Sequence, residues 1–167
     1  AVSCDGFIPP CSSRQRRMKP KSSAFTVVLW VFAYSLNCSA SLLQKKNRKV
    51  IADTGCSLLA KKPPYSLSVA NYGLGSSPAV AVKSTKISLC GDYAVLHSGL
   101  NALIDIAEKG HSLLCIILKN GTLAMTGGQR CPDIMPYLSC FHPRIVSAGD
   151  TLTLEKELAT ATQQEAQ

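Results

Sequence analysis

The sequence predicts an α/β domain, a mostly parallel sheet with helices on both faces, three layers deep. Three observations lead there. Between residues 86 and 129 a strand, an acidic turn, a helix, a second strand and a polar turn follow one another, as in a parallel crossover unit. Right-handed crossovers place the carboxyl ends of neighbouring parallel strands together, so both polar turns fall at one edge, where such sheets bind ligands. Finally, 46% of the 167 residues are hydrophobic and 17% charged, which suits one sizeable core and excludes a wholly disordered chain.

Taken in order, residues 1–23 mix Cys, Pro, Ser and basic residues without apolar period and read as a loop or disordered lead-in. A 13-residue apolar run then follows the basic flank 14–21 and precedes small residues, a grammar shared with signal segments if translation began at Met18. Its internal position and its length, too short to span a bilayer comfortably, argue against that reading. Residues 49–53 form a short strand closed by the turn Thr54-Gly55-Cys56. Residues 86–90 form an apolar strand ending in Gly91-Asp92. Residues 97–109 are amphipathic, with Leu100, Leu103, Ile104 and Ala107 at core spacing and Asp105, Glu108 and Lys109 on the solvated face. Residues 113–118 are a second buried strand ending at Asn120. Beyond Gln129, Pro132, Pro136 and Pro143 mark loops, residues 144–146 a last strand and 153–162 a terminal helix. The expected domain is therefore 24–162, with 163–167 a frayed tail.

The formal net charge of +8 comes largely from residues 14–21 and 45–49. Neither cluster is interleaved with aromatics, so a solvated helix end or linker is expected, with no nucleic-acid and no membrane partner. The eight cysteines contain no C-x-x-C pair, so spacing gives no zinc or iron–sulfur site. Cys90 and Cys115 fall within the two apolar strands as small buried hydrophobes, a use that fits a reducing, cytoplasmic setting.

Asp92 and Asn120 end the two strands, and a carboxylate beside an amide oxygen is a hard donor pair suited to Mg²⁺, which is often completed by phosphate. Gly91 and Gly121 allow tight turns there. The same residues are also ordinary turn chemistry.

Gly91-Asp92, His97-Ser98-Gly99, Leu118-Lys119-Asn120 and Ala124-Met125-Thr126-Gly127-Gly128-Gln129, in register, resemble the thiamine-diphosphate-binding region of the indolepyruvate ferredoxin oxidoreductase large subunit. Ala52-Asp53-Thr54-Gly55-Cys56, matching at Asp53, Gly55 and Cys56, resembles a further block of that 2-oxo acid:ferredoxin oxidoreductase family, as do Pro63-Pro64 and Leu74-Gly75-Ser76-Ser77. The resemblance implies thiamine diphosphate and Mg²⁺ as cofactors, with Asp92, Asn120 and the Thr122 carbonyl on the metal. Leu74 would wedge between the cofactor's rings, Gly75 and Ser76 would let the backbone approach, and Gly55, Cys56, Gly91, Tyr93, Leu123 and Ala124 would complete the cofactor site. Cys56 would be a buried thiol of the pocket or, with partner cysteines not readable here, an iron–sulfur ligand in the complete enzyme. No catalytic residue is assigned.

The same resemblance implies oxidative decarboxylation of 2-oxo acids, the cofactor acting as electron sink, with ferredoxin and coenzyme A serving the complete enzyme. A pyrimidine-binding partner chain or second subunit would be required, so the isolated chain is not expected to be active. In the family register, residues 24–43 would be a helix buried against the sheet. Residues 79–86 are too few for a full crossover helix, so a shortened or distorted one is expected. Lys119 stands where the family has Asp; facing inward, it would repel a divalent ion by about 5 kcal/mol at roughly 6 Å. Tyr93 stands where a small residue is usual. Two functions follow: a thiamine-diphosphate/Mg-binding subunit or fragment, or a non-catalytic remnant that keeps the fold as an interaction module.

Overall fold

The structure, a computed structural model, describes residues 25–31, 35–147 and 150–163. The expected lead-in 1–23, including Cys4, Cys11 and the basic flank, and residues 164–167 of the tail lie outside the described residues. Six strands form one sheet in the order β3-β2-β4-β5-β1-β8. These are β1 (Phe25–Val31), β2 (Val50–Ala52), β3 (Ser68–Ala70), β4 (Ile87–Gly91), β5 (Leu113–Lys119) and β8 (Arg144–Ser147). Every pairing in this sheet is parallel.

The predicted helix over residues 24–43 is replaced by β1 followed by α1 (Ser35–Lys45). Phe25, Thr26, Val27, Val28, Trp30 and Val31 are β-branched or aromatic, side chains that lose χ1 freedom in a helix and pack well on a pleated surface. β1 accordingly sits inside the sheet, pairing Phe25 with Leu113 on one side and Val28 with Arg144 on the other. Three-residue β3 carries no apolar signal strong enough to read from sequence.

Alternation along the strands divides the core into two layers. Val50, Ile87, Leu89, Leu114, Ile116 and Leu118 face one way, onto Ala40, Leu42 and Leu43 of α1. The helix α6 (Thr151–Gln163) contacts α1 on that side. Ile51, Cys90, Leu113, Cys115 and Ile117 face the other way, onto Ala81, Leu103, Ile106 and Ala107. The latter residues come from α2 (Ser77–Ala81) and α4 (Leu100–Lys109). Leu138, at the end of α5 (Met135–Leu138), completes this layer. Helices thus cover both faces, as the fold class requires, and each fully buried Leu or Ile contributes about 1.5–3 kcal/mol.

The shortened crossover is the five-residue α2, whose end is tied by the Val82 amide to the Pro78 carbonyl. After β4 the chain turns helical at once, five residues earlier than predicted, through α3 (Asp92–Ala94) and a wide turn, Val95–Gly99, into α4. In that turn the Leu100 amide reaches back five residues to the Val95 carbonyl, a π-type widening. It sets the face that α4 presents. Leu103, Ile106 and Ala107 are buried and Leu100 packs partly, whereas Ile104, expected in the core, is 37% exposed. Gly110, left-handed at φ 68°, ends α4. Among the described residues no helix is long and apolar enough to cross a membrane.

Candidate functional site

The two polar turns meet. Asp92, at the start of α3, is 3% exposed. Its Oδ2 accepts the amides of Asn120 at 3.2 Å and Gly121 at 2.8 Å, while Oδ1 accepts the Tyr93 amide at 2.8 Å. The Asn120 side chain folds back to accept the Thr122 amide through Oδ1 at 3.0 Å. Beyond it, β6 (Thr122–Leu123) and β7 (Gln129–Arg130) pair antiparallel into a small hairpin. The Thr126 hydroxyl donates to Gln129 Oε1, and Gln129 Nε2 donates to the Thr126 carbonyl, clamping the turn between the strands. The resembled Ala-Met-Thr-Gly-Gly-Gln block is therefore a flap.

A cleft of about 550 Å³ lies between this flap and the carboxyl ends of β2, β4 and β5. Gly55, Cys56, Leu74, Gly91, Asp92, Tyr93, Asn120, Thr122, Leu123 and Ala124 line it, so ten of the predicted cofactor residues share one wall system. Gly75 and Ser76 do not line it. They stand behind Leu74, where Ser76 Oγ donates to the Gly73 carbonyl and accepts the Gly73 amide. Cys56, expected buried, is exposed. Among the described residues no group of three or more His, Cys, Asp or Glu is placed to hold a metal, so Cys56 gains no cluster partners. Thr54, Leu118, Met125 and Thr126, which lie in the resembling blocks but have no assigned role, also line the cleft, as do Ser57 and Ala94, which lie in none.

Three supporting groups have no role assigned from the sequence, although Asp53, Ser77 and Ser98 lie in the resembling blocks. Asp53 is 0% exposed and accepts four hydrogen bonds: from the amides of Thr54 (2.8 Å), Gly75 (2.7 Å) and Ser77 (3.1 Å), and from Ser77 Oγ (2.8 Å). Ser88 Oγ then donates to Ser77 Oγ at 2.9 Å. Ser98 Oγ donates to the Leu74 carbonyl at 2.7 Å, so Ser98, in the block where His97 drew notice, seats the proposed wedge. His97 itself is exposed and lies tilted against the Tyr93 ring at 6.2 Å.

Lys119 Nζ pairs with Asp133 Oδ1 at 2.8 Å, and that ammonium is the main cause holding the Asp133 carboxyl below its ordinary value. Cys90 and Cys115 are buried as predicted, with sulfurs 3.9 Å apart. Their mutual hydrogen bond, followed by burial, raises the Cys90 thiol well above its ordinary value.

Cys131, also buried, is pushed up to about 11, first by burial and then by the neighbouring Asp92 carboxylate. The folded protein therefore holds a proton that the unfolded chain releases near its ordinary value of 9.0, so this contribution is full below about pH 9 and lost as pH rises through about 11. Urea midpoints of wild type should fall more steeply across this range than those of Cys131→Ala; parallel curves would remove the assignment.

The donor chemistry fits a divalent ion and a diphosphate. Asn120 Oδ1 accepts one amide and keeps a lone pair for a hard cation, while the Asp92 carboxylate takes three amides and the Cys131 thiol, so a cation would reach it by displacing the thiol. A side chain added at Gly91 or Gly121 would meet nothing within 4 Å, so open space lies beside both turns. The helical stretch that begins at α3 and continues into α4 presents its positive dipole end at this edge, with the Tyr93 amide already taken by Asp92 Oδ1.

Parallel sheet, strand-end acid and flap together form a cleft of the kind in which an α/β domain holds a cofactor. Residues 34–164 match the family model described as thiamine pyrophosphate enzyme, C-terminal TPP binding domain, and the chain belongs to that family; thiamine pyrophosphate is thiamine diphosphate. Among curated proteins it is similar to indolepyruvate oxidoreductase subunit IorA. Identity is 33% over 109 residues with the protein of Methanothermobacter marburgensis and 30% over 109 residues with that of Methanothermobacter thermautotrophicus. Each alignment takes in 60% of this chain, which spans only 18% of the length of either relative. The chain is thus a divergent and partial thiamine-diphosphate-binding domain. No solved structure matches it.

Proposed function

We propose that this chain is the thiamine-diphosphate- and Mg²⁺-binding part of a cytoplasmic 2-oxo acid oxidoreductase of the indolepyruvate type. The observation that carries the reading is the convergence of Asp92 and Asn120 at one edge of an apolar cleft. Asp92, Asn120 and the Thr122 carbonyl would hold the metal, and the positive dipole end at α3 would face the diphosphate. Leu74, seated by Ser98, would support the bent cofactor, and Leu123, Ala124 and Met125 of the flap would offer it an apolar wall. When bound, thiamine diphosphate supplies the nucleophile and electron sink for decarboxylating a 2-oxo acid. The pyrimidine-binding surface, and access to ferredoxin and coenzyme A, would come from partner chains or further domains.

Titration of the folded chain with thiamine diphosphate, followed by calorimetry and by ³¹P line broadening, should show binding that requires Mg²⁺. Asp92→Ala should weaken it more than about 10-fold, since it removes a proposed ligand and leaves the Asn120 and Gly121 amides unpaired. Tyr93, half-buried in the cleft where the family keeps a small residue, favours a second reading, a non-catalytic remnant serving as an interaction module. Metal-independent binding, or none to folded protein by either method, would leave that second reading standing.

A further inference from the structure

The cleft occupies the carboxyl edge of the sheet, and the opposite edge has a different character. Turns entering β2 and β3 lie side by side there, because the two strands are neighbours and Val50 pairs with Ser68. Two bonds tie them together: Gln44 Nε2 donates to the Pro64 carbonyl at 2.8 Å, and Lys49 Nζ to the Ser66 carbonyl at 2.9 Å. This brings Lys45, Lys46, Arg48 and Lys49 beside Lys61 and Lys62, and the five lysines are exposed. The only acidic residue between Gln44 and Leu67 is Asp53, which is buried and committed to its own loop. Among the described residues no acidic side chain forms an ion pair with Lys45, Lys46, Lys61 or Lys62. The surface continues across the next strand, since Lys83 and Lys86 precede β4, the other neighbour of β2.

We propose that this amino edge is a docking surface for an acidic patch on a partner protein. Lys45, Lys46, Lys61 and Lys62, packed together without carboxylate partners among the described residues, repel one another, and an approaching carboxylate cluster relieves that repulsion while being steered by the same field. The chemistry favours protein carboxylates over nucleic acid. The one aromatic residue in these turns, Tyr65, packs against the core, so no ring is presented for base stacking. The helix that reaches this edge, α1, does so with its carboxyl end, whose negative dipole end does not favour a phosphate. Lysine predominates, and its mobile point charge tolerates an irregular carboxylate surface better than a fixed bidentate geometry would. The surface is separate from the cleft, so the inference does not depend on cofactor binding.

The probe is dye-labelled poly-L-glutamate, titrated with the full chain and read by fluorescence anisotropy. Replacing Lys45, Lys46, Lys61 and Lys62 together by Glu should weaken binding at least about 10-fold, whereas Glu at Arg14, Arg16, Arg17 and Lys19 should weaken it less than about threefold. Raising salt from about 50 to about 200 mM should weaken wild-type binding and narrow the gap between variants. The four edge positions are exposed, and circular dichroism checks that the fold persists; Gln at the same positions carries the test if charge reversal prevents folding. Equal losses in the two variants would overturn the proposal. Tighter binding of wild type to a DNA duplex or to phosphatidylserine vesicles than to polyglutamate would also overturn it, in favour of that ligand.

Discussion

Asp53→Ala is expected to destabilise the protein by about 3–5 kcal/mol, a large share of the 5–15 kcal/mol typical of a folded domain. The substitution removes the acceptor for the amides of Gly75 and Ser77 and for the Ser77 hydroxyl, all in a region closed to water. Each stranded donor costs about 1–3 kcal/mol, and the loop that carries Leu74 loses its tether to β2. Asp53→Asn keeps the volume but places an amide nitrogen against donors, so its cost should be smaller, about 2–3 kcal/mol. Urea unfolding reads both: at slopes of about 1–3 kcal/mol per molar, Asp53→Ala should lower the midpoint by more than about 1 M. A loss below about 1 kcal/mol in both variants would show that the buried carboxylate is incidental.

Gly75→Ala is expected to cost about 2–4 kcal/mol and to impair the cleft even where the chain still folds. Gly75 has φ +82°, a conformation costly for a side chain, and its added Cβ would lie 2.7 Å from both the Ala94 carbonyl oxygen and the Gly99 amide nitrogen. Those neighbours are backbone atoms of the widened helical turn and cannot swing aside. The chain must separate there, which breaks the Ser98–Leu74 bond and moves the wedge residue. Gly73→Ala is the control, because a Cβ there meets nothing within 4 Å and its cost should stay below about 1 kcal/mol. Equal denaturant midpoints for the two variants would contradict the close approach.

The legible parts of the chain were those whose chemistry is local. β4 and β5 declare themselves as short apolar runs closed by Gly-Asp and Asn-Gly, and their turns were rightly placed at one edge. Ten of the twelve residues assigned to the cofactor site by resemblance do line the cleft. The errors arise where neighbours in space decide. Residues 25–31 are apolar but for Thr26, so neither period shows, and only the two flanking strands settle them as β1. Ile104 was misplaced because the preceding wide turn sets which face of α4 is buried, a register that no spacing rule for a regular helix contains. Asp53 looks like one letter of a turn, since three of the four donors it satisfies come from residues more than twenty positions later.

The position of β1 bears on how the molecule assembles. β2, β3, β4 and β5 can pair with strands close to them in the chain, but β1 must wait for β5, which is made much later, and β8 meets only β1 within the sheet. Closing so long a loop is entropically late, and sheets dominated by distant pairings form slowly. Until β1 arrives, β5 exposes an apolar strand edge capable of pairing with other chains. The earliest described strand thus acts as the closing piece of the sheet, and the interval before it docks is when the nascent protein is most open to aggregation.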